Sequence, residues 1–305
     1  MKKILKLLIF TLIPFCANGQ LTPLSSQYVL NTLLINPAYA GTRGVMNLAA
    51  FYRRQWVGIK GTPETMSLSA DAPFNDGKLG LGIIIQNDKI GVNRETQFNT
   101  NYAYRIDMGT GNLSFGLGAA INLRKASWSD LIVLDPGDEN FLIDSKTFIM
   151  PNFSFGTYYS NQNFFAGFSI PRLLGQKFDF NKNKYVLTTN MKDNSYLFNL
   201  GFVFDLTRNL KFLPSSLVVV SPGNSILYDL NANFRIMDRF WAGVSYRSDR
   251  SVNALFQIQI NDQIKFAYTY DMDFGRLKSF SSGSHEIMFR YEFRYKIDAI
   301  SPLNF

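Results

Sequence analysis

The sequence predicts an all-β protein: a transmembrane antiparallel β-barrel of about 14 strands with a short N-terminal extension. Three observations lead to this prediction. Apolar and polar residues alternate along segment after segment, which places them on opposite faces of a strand. Aromatic residues make up 15% of the chain and charged residues only 18%. Beyond the N-terminus, no apolar run reaches the roughly 18 residues that a membrane-spanning helix needs.

The clearest alternation lies between Glu286 and Tyr295. Its odd-numbered residues are all apolar or aromatic, and its even-numbered residues are charged except for Met288. A membrane barrel requires this pattern in every strand, because lipid lies outside and polar groups line the inside. Similar strands are predicted at residues 46–53, 65–72, 79–86, 97–106, 113–122, 152–160, 163–170, 195–204, 210–221, 226–236, 240–247, 252–260 and 264–271.

Most connections between these strands alternate in length, although those at residues 222–225 and 249–250, which should be long, are short. Short polar turns are predicted at residues 161–162, 207–209, 237–238 and 261–262, and longer breaks at 55–64, 124–150, 172–194 and 272–283. Short periplasmic turns and long extracellular loops are typical of outer-membrane barrels. A soluble β-sandwich or propeller remains an alternative, although it would need a second apolar layer to cover so many aromatic faces.

The first 19 residues are predicted to be a secretory signal peptide. Lysines precede an apolar run at residues 7–15, and a small-x-small cleavage site ends at Gly19. Cleavage there removes Cys16, the only cysteine. A lipoprotein anchor at Cys16 is the alternative, but Phe15 stands where that motif wants a small residue.

The mature chain is predicted to have two parts. Residues 20–42 form an extension that is periplasmic or plugs the lumen, and residues 43–305 form the barrel. Export together with the barrel pattern predicts a multi-pass protein of the cell outer membrane, in contact with its lipid. The plug hypothesis rests on the apolar centre of the extension at Leu34 and Ile35 and on the small residues predicted to face the lumen.

Glycines and charges share the predicted inner face. Missing side chains leave space there, or allow neighbouring aromatic rings to lie over the backbone. Charges of both signs could pair across strands or be solvated in a channel. The inward glycines are Gly80, Gly82, Gly116, Gly118, Gly201 and Gly243, and the inward charges are Arg53, Arg105, Asp229, Arg235, Arg247, Lys265, Asp271, Glu286, Arg290, Glu292 and Arg294.

The sequence gives little support for a catalytic site, a metal site or a cofactor site. His285 is the only histidine, and the neighbouring Ser284 points to the opposite face of the strand. Zinc would want several His or Cys ligands. Acidic turns at residues 135–139 and 271–273 could offer oxygens to Ca²⁺, but they lack EF-hand spacing. The excess of basic residues is scattered, so no nucleic-acid partner is predicted. We expect no cofactor and no metal.

One connection differs from the others. Residues 54–63 place a tryptophan beside basic residues in a loop punctuated by Gly and Pro, which is a plausible contact site. The alternatives are that Trp56 only anchors at the membrane interface and that Asn36-Pro37 and Gly58 only set turns. The residues predicted to contact a partner, or to shape that contact, are Asn36, Pro37, Arg54, Gln55, Trp56 and Gly58.

Several motifs resemble the PorP/SprF family. They are Ser26-Gln-Tyr-Val-Leu-Asn31, Leu33-Leu-Ile-Asn-Pro-Ala-Tyr-Ala-Gly41, Arg54-Gln-Trp-Val-Gly58, Gly61-Thr-Pro-Glu-Thr65, Tyr102-Ala-Tyr104, Leu113-Ser-Phe-Gly-Leu117, Tyr270-Asp271 and Gly283-Ser-His-Glu286. The resemblance covers essentially the whole mature chain in the same order. Thr32 departs from it, because the family usually has proline there.

The resemblance implies an outer-membrane barrel of the type IX secretion system of Bacteroidetes. It implies a non-enzymatic role in export or surface attachment of large proteins, including gliding adhesins. The implied partners are the periplasmic ring lipoproteins of that system and a secreted surface protein as client. The alternatives from the sequence are a porin or channel for small solutes and a lipid hydrolase that depends on His285.

Overall fold

The structure, a computed structural model, describes residues 25–131, 143–179, 184–221 and 226–293. The predicted signal peptide with Cys16, the acidic turn at 135–139 and the end of the last predicted strand lie outside the described residues. None of the helices in the described part of the chain is both long and apolar enough to cross a membrane.

The described residues form strands and short 3-10 helices. The strands are β1 (Met46–Arg54), β2 (Glu64–Phe74), β3 (Leu79–Ile90), β4 (Asn93–Asp107), β5 (Asn112–Ala126), β6 (Phe148–Ser160), β7 (Phe164–Ile170), β8 (Gly175–Asp179), β9 (Lys184–Thr188), β10 (Tyr196–Phe202), β11 (Phe204–Thr207), β12 (Leu210–Val220), β13 (Leu227–Ile236), β14 (Phe240–Arg247), β15 (Ser251–Gln259), β16 (Ile264–Asp273) and β17 (Ser284–Phe293). The 3-10 helices are η1 (Ser26–Val29), η2 (Thr32–Leu34), η3 (Pro37–Tyr39), η4 (Trp128–Asp130), η5 (Met191–Asp193) and η6 (Arg276–Ser279).

The main sheet closes into a barrel. β1 pairs with both β2 and β17, and β10 pairs with both β7 and β12. β10 and β11 run along β12 as one strand interrupted at Val203, so the closed antiparallel sheet has 14 strands. Closure removes the free sheet edges, whose unpaired backbone groups lipid could not satisfy. The predicted all-β barrel of about 14 strands is therefore confirmed.

The predicted alternation of faces holds in the structure. Along β17, Glu286 and Met288 are buried while Ile287 and Phe289 face outward. Large apolar side chains on other strands, such as Leu68 and Leu117, are more than half exposed, which suits contact with lipid.

The barrel has two unlike ends. At the short-turn end, β13 and β14 are joined through Met237 and Asp238, both with positive φ (52° and 54°). Two such residues are typical of a tight hairpin turn that follows the strand twist. The opposite long-loop end carries the connections at 55–63, 127–147, 171–195 and 274–283.

Two features of the long-loop end differ from the prediction. Strands β3 to β6 extend further toward it than the alternation indicated, so that β3 and β4 are separated only by Gly91 and Val92. The break predicted at 172–194 contains a separate hairpin, β8 and β9. In the 127–147 connection, Ser129 donates hydrogen bonds to Asp144 and the Lys125 ammonium lies 3.1 Å from the same carboxylate. These contacts lower the pKa of Asp144 below its usual value.

Residues 25–43, called the N-terminal segment below, lie inside the barrel. They carry η1 to η3 and pack their apolar side chains against inward-facing residues of the wall. Tyr28 and Ile35 meet Leu197 and Leu217, and Leu33 meets Ile84. These contacts support the idea that the segment plugs the lumen, which remains a prediction.

Candidate functional site

The first turn of the N-terminal segment is bound by Glu286 of β17, whose side chain is fully buried. The carboxylate accepts hydrogen bonds from the Ser26 and Gln27 amides (3.0 and 3.1 Å) and from the Ser25 hydroxyl (3.0 Å). Its Oε1 also lies 3.1 Å from Arg53 Nε. Because the first N–H groups of a helix lack internal partners, a carboxylate is well placed to satisfy them. Glu286 therefore anchors the start of η1.

A charge network continues from this anchor around the wall. Asp271 accepts a hydrogen bond from the Ser26 hydroxyl and lies 3.3 Å from Arg53 Nη2. Arg247 donates to the same hydroxyl (3.0 Å) and pairs with Asp229 at 2.8 Å. Buried charges keep their ionised form only when they are paired and hydrogen-bonded. Ser26 thus completes a network that links strands β13, β14, β16 and β17.

Nearer the short-turn end, backbone carbonyls and amides of the segment meet charged side chains. Arg43 and Arg290 both donate to the Leu30 carbonyl oxygen. Glu292 balances this positive charge, with Arg43 at 3.4 Å and Lys265 at 2.8 Å. The bond from Arg43 to Leu30 lies within the segment, whereas Glu286, Arg290 and Glu292 bind the segment from the wall. The position of the segment in the barrel is therefore fixed by hydrogen bonds and an ion pair to charged wall residues.

Wall glycines let the segment approach the sheet backbone. A Cβ built on Gly80 would lie 1.9 Å from the Ala40 oxygen, and one on Gly116 would lie 2.1 Å from the Ala38 nitrogen. Real atoms cannot approach so closely, so any side chain at Gly80 or Gly116 would displace the segment. The second role predicted for inward glycines, to let an aromatic ring lie over the backbone, occurs at Gly201, which is covered by the ring of Phe165.

Two of the six predicted partner residues, Asn36 and Pro37, lie inside the barrel. The Asn36 side chain, in a residue only 1% exposed, caps η3 by accepting from the Ala38 amide (3.0 Å). Its Nδ2 donates to the Thr157 and Phe168 carbonyls. Pro37 begins η3, where its missing N–H costs nothing. Both residues shape the segment and its contacts with the wall.

The other four predicted residues lie together at the long-loop end. Arg54 is exposed and 3.6 Å from Glu64, and the Gln55 amide donates to the Pro63 carbonyl. Trp56 has φ +49°, a left-handed conformation that bulky residues rarely adopt, and Gly58 has φ +105°. The strained turn at Trp56 places its half-buried ring at the rim of the barrel.

Neighbouring connections hold this turn in place. The Trp56 amide donates to the Ser284 hydroxyl at 3.1 Å. The Val57 amide donates to the Gly283 carbonyl, and the Ser282 amide donates back to Val57. These two backbone hydrogen bonds and the one to the Ser284 side chain fix the strained conformation.

Above the N-terminal segment, the barrel contains a cavity of about 760 Å³ that we call the vestibule. Its floor is formed by the segment, and its rim carries residues of the long connections. The residues that define it are Leu33, Leu34 and Ile35 on the floor, Thr65, Gln86, Gln97, Asn99 and Asn101 on one wall, Arg53, Arg247 and Asp271 on the other, and Trp56 at the rim. Cavities of this size commonly hold ligands.

Other candidates from the sequence have structural partners. His285 Nδ1 lies 2.6 Å from the Tyr268 hydroxyl on the outer face, while Ser284 is buried on the inner face, as predicted. Asp271 is engaged with Arg53 and Ser26. Within the described ranges, no three His, Cys, Asp or Glu side chains are grouped as a metal site would require.

Sequence reasoning missed the partners of Glu286. The alternation correctly placed Glu286 on the inner face, but the groups that bind it lie about 260 residues earlier in the chain. A local signal was present at Ser25, which caps η1 by accepting from the Gln27 amide. Serine before a short apolar segment is typical of a helix start.

Comparison with known proteins places this barrel in a family. A family model described as the type IX secretion system membrane protein PorP/SprF matches residues 17–291. No match was found among curated proteins. Solved structures show similar folds at very low sequence identity.

One similar structure is the outer membrane protein Omp33 of Acinetobacter baumannii, with a TM-score of 0.51 and 6% identity over 82% of this chain and 98% of that one. Another is the monoaromatic hydrocarbon channel CymD, with a TM-score of 0.50 and 11% identity over 91% of this chain and 95% of that one. These likenesses indicate the outer-membrane barrel fold alone, whereas the family match spans nearly the whole chain. The chain therefore belongs to the PorP/SprF family of type IX secretion system membrane proteins.

Proposed function

We propose that this protein is a non-enzymatic outer-membrane scaffold that supports export, or cell-surface attachment, of proteins secreted by the type IX system. One observation carries the proposal beyond family membership: the N-terminal segment packs across the inside of the barrel and is anchored there by Glu286. A pore for solutes needs an open path, whereas a scaffold needs a rigid body with surfaces at both ends.

The proposal assigns a role to each part of the chain. Residues 1–19 direct export, residues 20–42 plug the lumen, and residues 43–305 form the barrel in the outer membrane. The short-turn end faces the periplasm and contacts the ring lipoproteins. The long-loop end faces outward and contacts a secreted surface protein, which includes gliding adhesins as one class of client.

The contact residues at the long-loop end are Arg54, Gln55, Trp56 and Gly58. Aromatic and arginine side chains are enriched among the anchors of protein interfaces. Here Arg54 ends β1, and Trp56 lies on the fixed turn that follows. Asn36 and Pro37 act indirectly, because they hold the segment that forms the floor beneath this turn.

Affinity purification from outer membranes in mild detergent tests the proposal. The tagged chain is isolated from cells in which the type IX system is assembled, and co-purifying proteins are identified by mass spectrometry. We expect ring lipoproteins or one large exported surface protein. A preparation of this chain alone, combined with a steady ion current in planar bilayers, would contradict the scaffold and favour a channel for small solutes.

A further inference from the structure

We infer that the vestibule is a binding site for an extended polypeptide segment that enters from the long-loop end. The inference rests on the proposed function and names the part of the molecule that an exported protein would contact. The shape of the cavity, the chemistry of its walls and the conformation of its rim each point to this class of ligand.

The vestibule is closed at its base. Leu33, Leu34 and Ile35 of the N-terminal segment form the floor, and the anchor at Glu286 holds the start of that segment in place. A cavity that opens at one end and is blocked at the other can receive a ligand but cannot conduct it across the barrel. Its volume of about 760 Å³ is large enough for several side chains with their backbone.

One wall of the vestibule is rich in carboxamides and contains no charge among its defining residues. Gln86, Gln97, Asn99 and Asn101 all come from the adjacent strands β3 and β4. The Gln86 Nε2 already donates to Asp88 at 2.7 Å. A carboxamide has both donors and an acceptor, which is the complement of a peptide backbone with its alternating N–H and C=O groups. A row of such side chains can therefore bind the backbone of an extended peptide that is not already paired in a β-sheet.

Part of this hydrogen-bonding capacity is unused within the barrel. Asn101 is only 4% exposed, yet its Nδ2 has no hydrogen-bond partner among the described residues, and the same holds for Asn99 Oδ1. A buried polar atom without a partner destabilises the folded state. Both atoms are buried against the wall, so a peptide unit could bond them only when the carboxamides rotate into the cavity.

The floor supplies the apolar half of the site. Leu34 and Ile35 lie beside Leu197, Val219 and Leu227, which also line the cavity. Side chains of an extended peptide alternate in direction, so one set can meet this floor while the backbone meets the carboxamide wall. A glycan, the other macromolecule at a bacterial surface, would leave this apolar floor without a complementary surface.

The rim positions a single aromatic side chain over the entrance. Trp56 lines the vestibule, and its strained backbone is fixed by the hydrogen bond to Ser284. A large, rigid ring fixed beside an apolar cavity is a common anchor for peptide ligands. The strain at this residue is explained if the turn serves to hold the ring there.

Site-specific photo-crosslinking in living cells tests the inference. The probe is p-benzoylphenylalanine in place of Gln97, which faces the vestibule, and separately in place of Asn99. The matched control places the same probe at Phe98, which lies between them on β4 and faces lipid. Barrel assembly of each variant is checked by its heat-modifiable migration on gels.

The inference expects adducts at residues 97 and 99, and not at 98, that mass spectrometry maps to one contiguous segment of an exported protein found in the affinity purification. Adducts that resist protease and contain lipopolysaccharide would overturn it in favour of a glycan site. Absence of adducts from folded variants, while the affinity purification still recovers its exported protein, would overturn it and leave the proposed function standing. If neither an exported protein nor ring lipoproteins are recovered and the barrel carries a steady ion current, both fail together.

Discussion

Replacing Glu286 with glutamine should release the N-terminal segment from the barrel wall. The carboxylate accepts three hydrogen bonds from Ser25, Ser26 and Gln27 and pairs with Arg53. Glutamine keeps the volume but has one acceptor oxygen in place of two, and its amide hydrogens would face the backbone donors. At least one charge-assisted hydrogen bond is lost, and the charge of Arg53 loses a buried partner.

The size of the effect follows from these contacts. A hydrogen bond to a charged group contributes about 1.5–3 kcal/mol, and breaking a buried ion pair costs about 3–5 kcal/mol. Because the contributions overlap, we take about 3 kcal/mol for the weakening of the closed state, which shifts the closed-to-open ratio roughly a hundredfold. The Glu286→Gln variant should therefore open often enough to measure.

Two assays report the opening. A cysteine in place of Ala40, which is fully buried, should react with a maleimide roughly a hundredfold faster in the Glu286→Gln background. Ion current through single barrels in planar bilayers should rise in the same variant. Glu95→Gln is the matched control, because Glu95 pairs with Arg124 on the wall and has no hydrogen bond to the segment.

An engineered disulfide separates opening from general damage. A Cβ built on Gly82 would lie 3.4 Å from the Ala40 Cβ, close to the separation of about 3.5–4.5 Å found in disulfides. Oxidised Ala40→Cys/Gly82→Cys should keep the current low even with Glu286→Gln. Labelling and current in Glu286→Gln that equal those of Glu95→Gln would refute the role of Glu286 as the anchor.

Three other changes should have distinct outcomes. Gly116→Ala should lower the unfolding temperature more than Gly118→Ala on the same strand, because the added methyl group meets segment backbone at Gly116 and a movable serine hydroxyl at Gly118. Trp56→Ala should reduce the amount of co-purified exported protein while Trp56→Phe retains most of it, with barrel migration on gels unchanged in both. Since the pKa of Asp144 is lowered, its contact with Ser129 should persist below the usual aspartate pKa and disappear as pH falls through the lowered value, which NMR titration of the carboxyl group can follow.

The barrel strands were predictable from sequence wherever contact with lipid on one face makes apolar and polar residues alternate along the strand. The same reasoning failed at the long-loop ends of β3 and β4, where Asp88 and Lys89 pair with Glu95 and Arg94. Both faces of a strand are polar once it leaves the membrane, so the alternation that marks a strand disappears although the backbone pairing continues. The missed hairpin of β8 and β9 lies in the same polar region.

The candidate site was only partly predictable, because the residues that meet there are far apart in the sequence. Inward glycines were expected to leave space or to support aromatic rings, and both occur, at Gly116 and Gly201. Which of the two applies at a given glycine depends on contacts between residues far apart in sequence. The extension that contains Asn36 could be proposed as a lumen plug, whereas the wall residues that Asn36 contacts could not be predicted.

These contacts bear on how an exported protein could use this barrel. A path through the lumen would require the N-terminal segment to leave, which would strip Glu286 and Arg290 of hydrogen-bond partners inside the wall. A hydrogen bond to a charged group contributes about 1.5–3 kcal/mol, so these losses favour the anchored position of the segment. Binding at the vestibule requires no such step, because its base is the segment in its anchored position. We therefore expect an exported protein to be held at the long-loop end of this barrel rather than threaded through it.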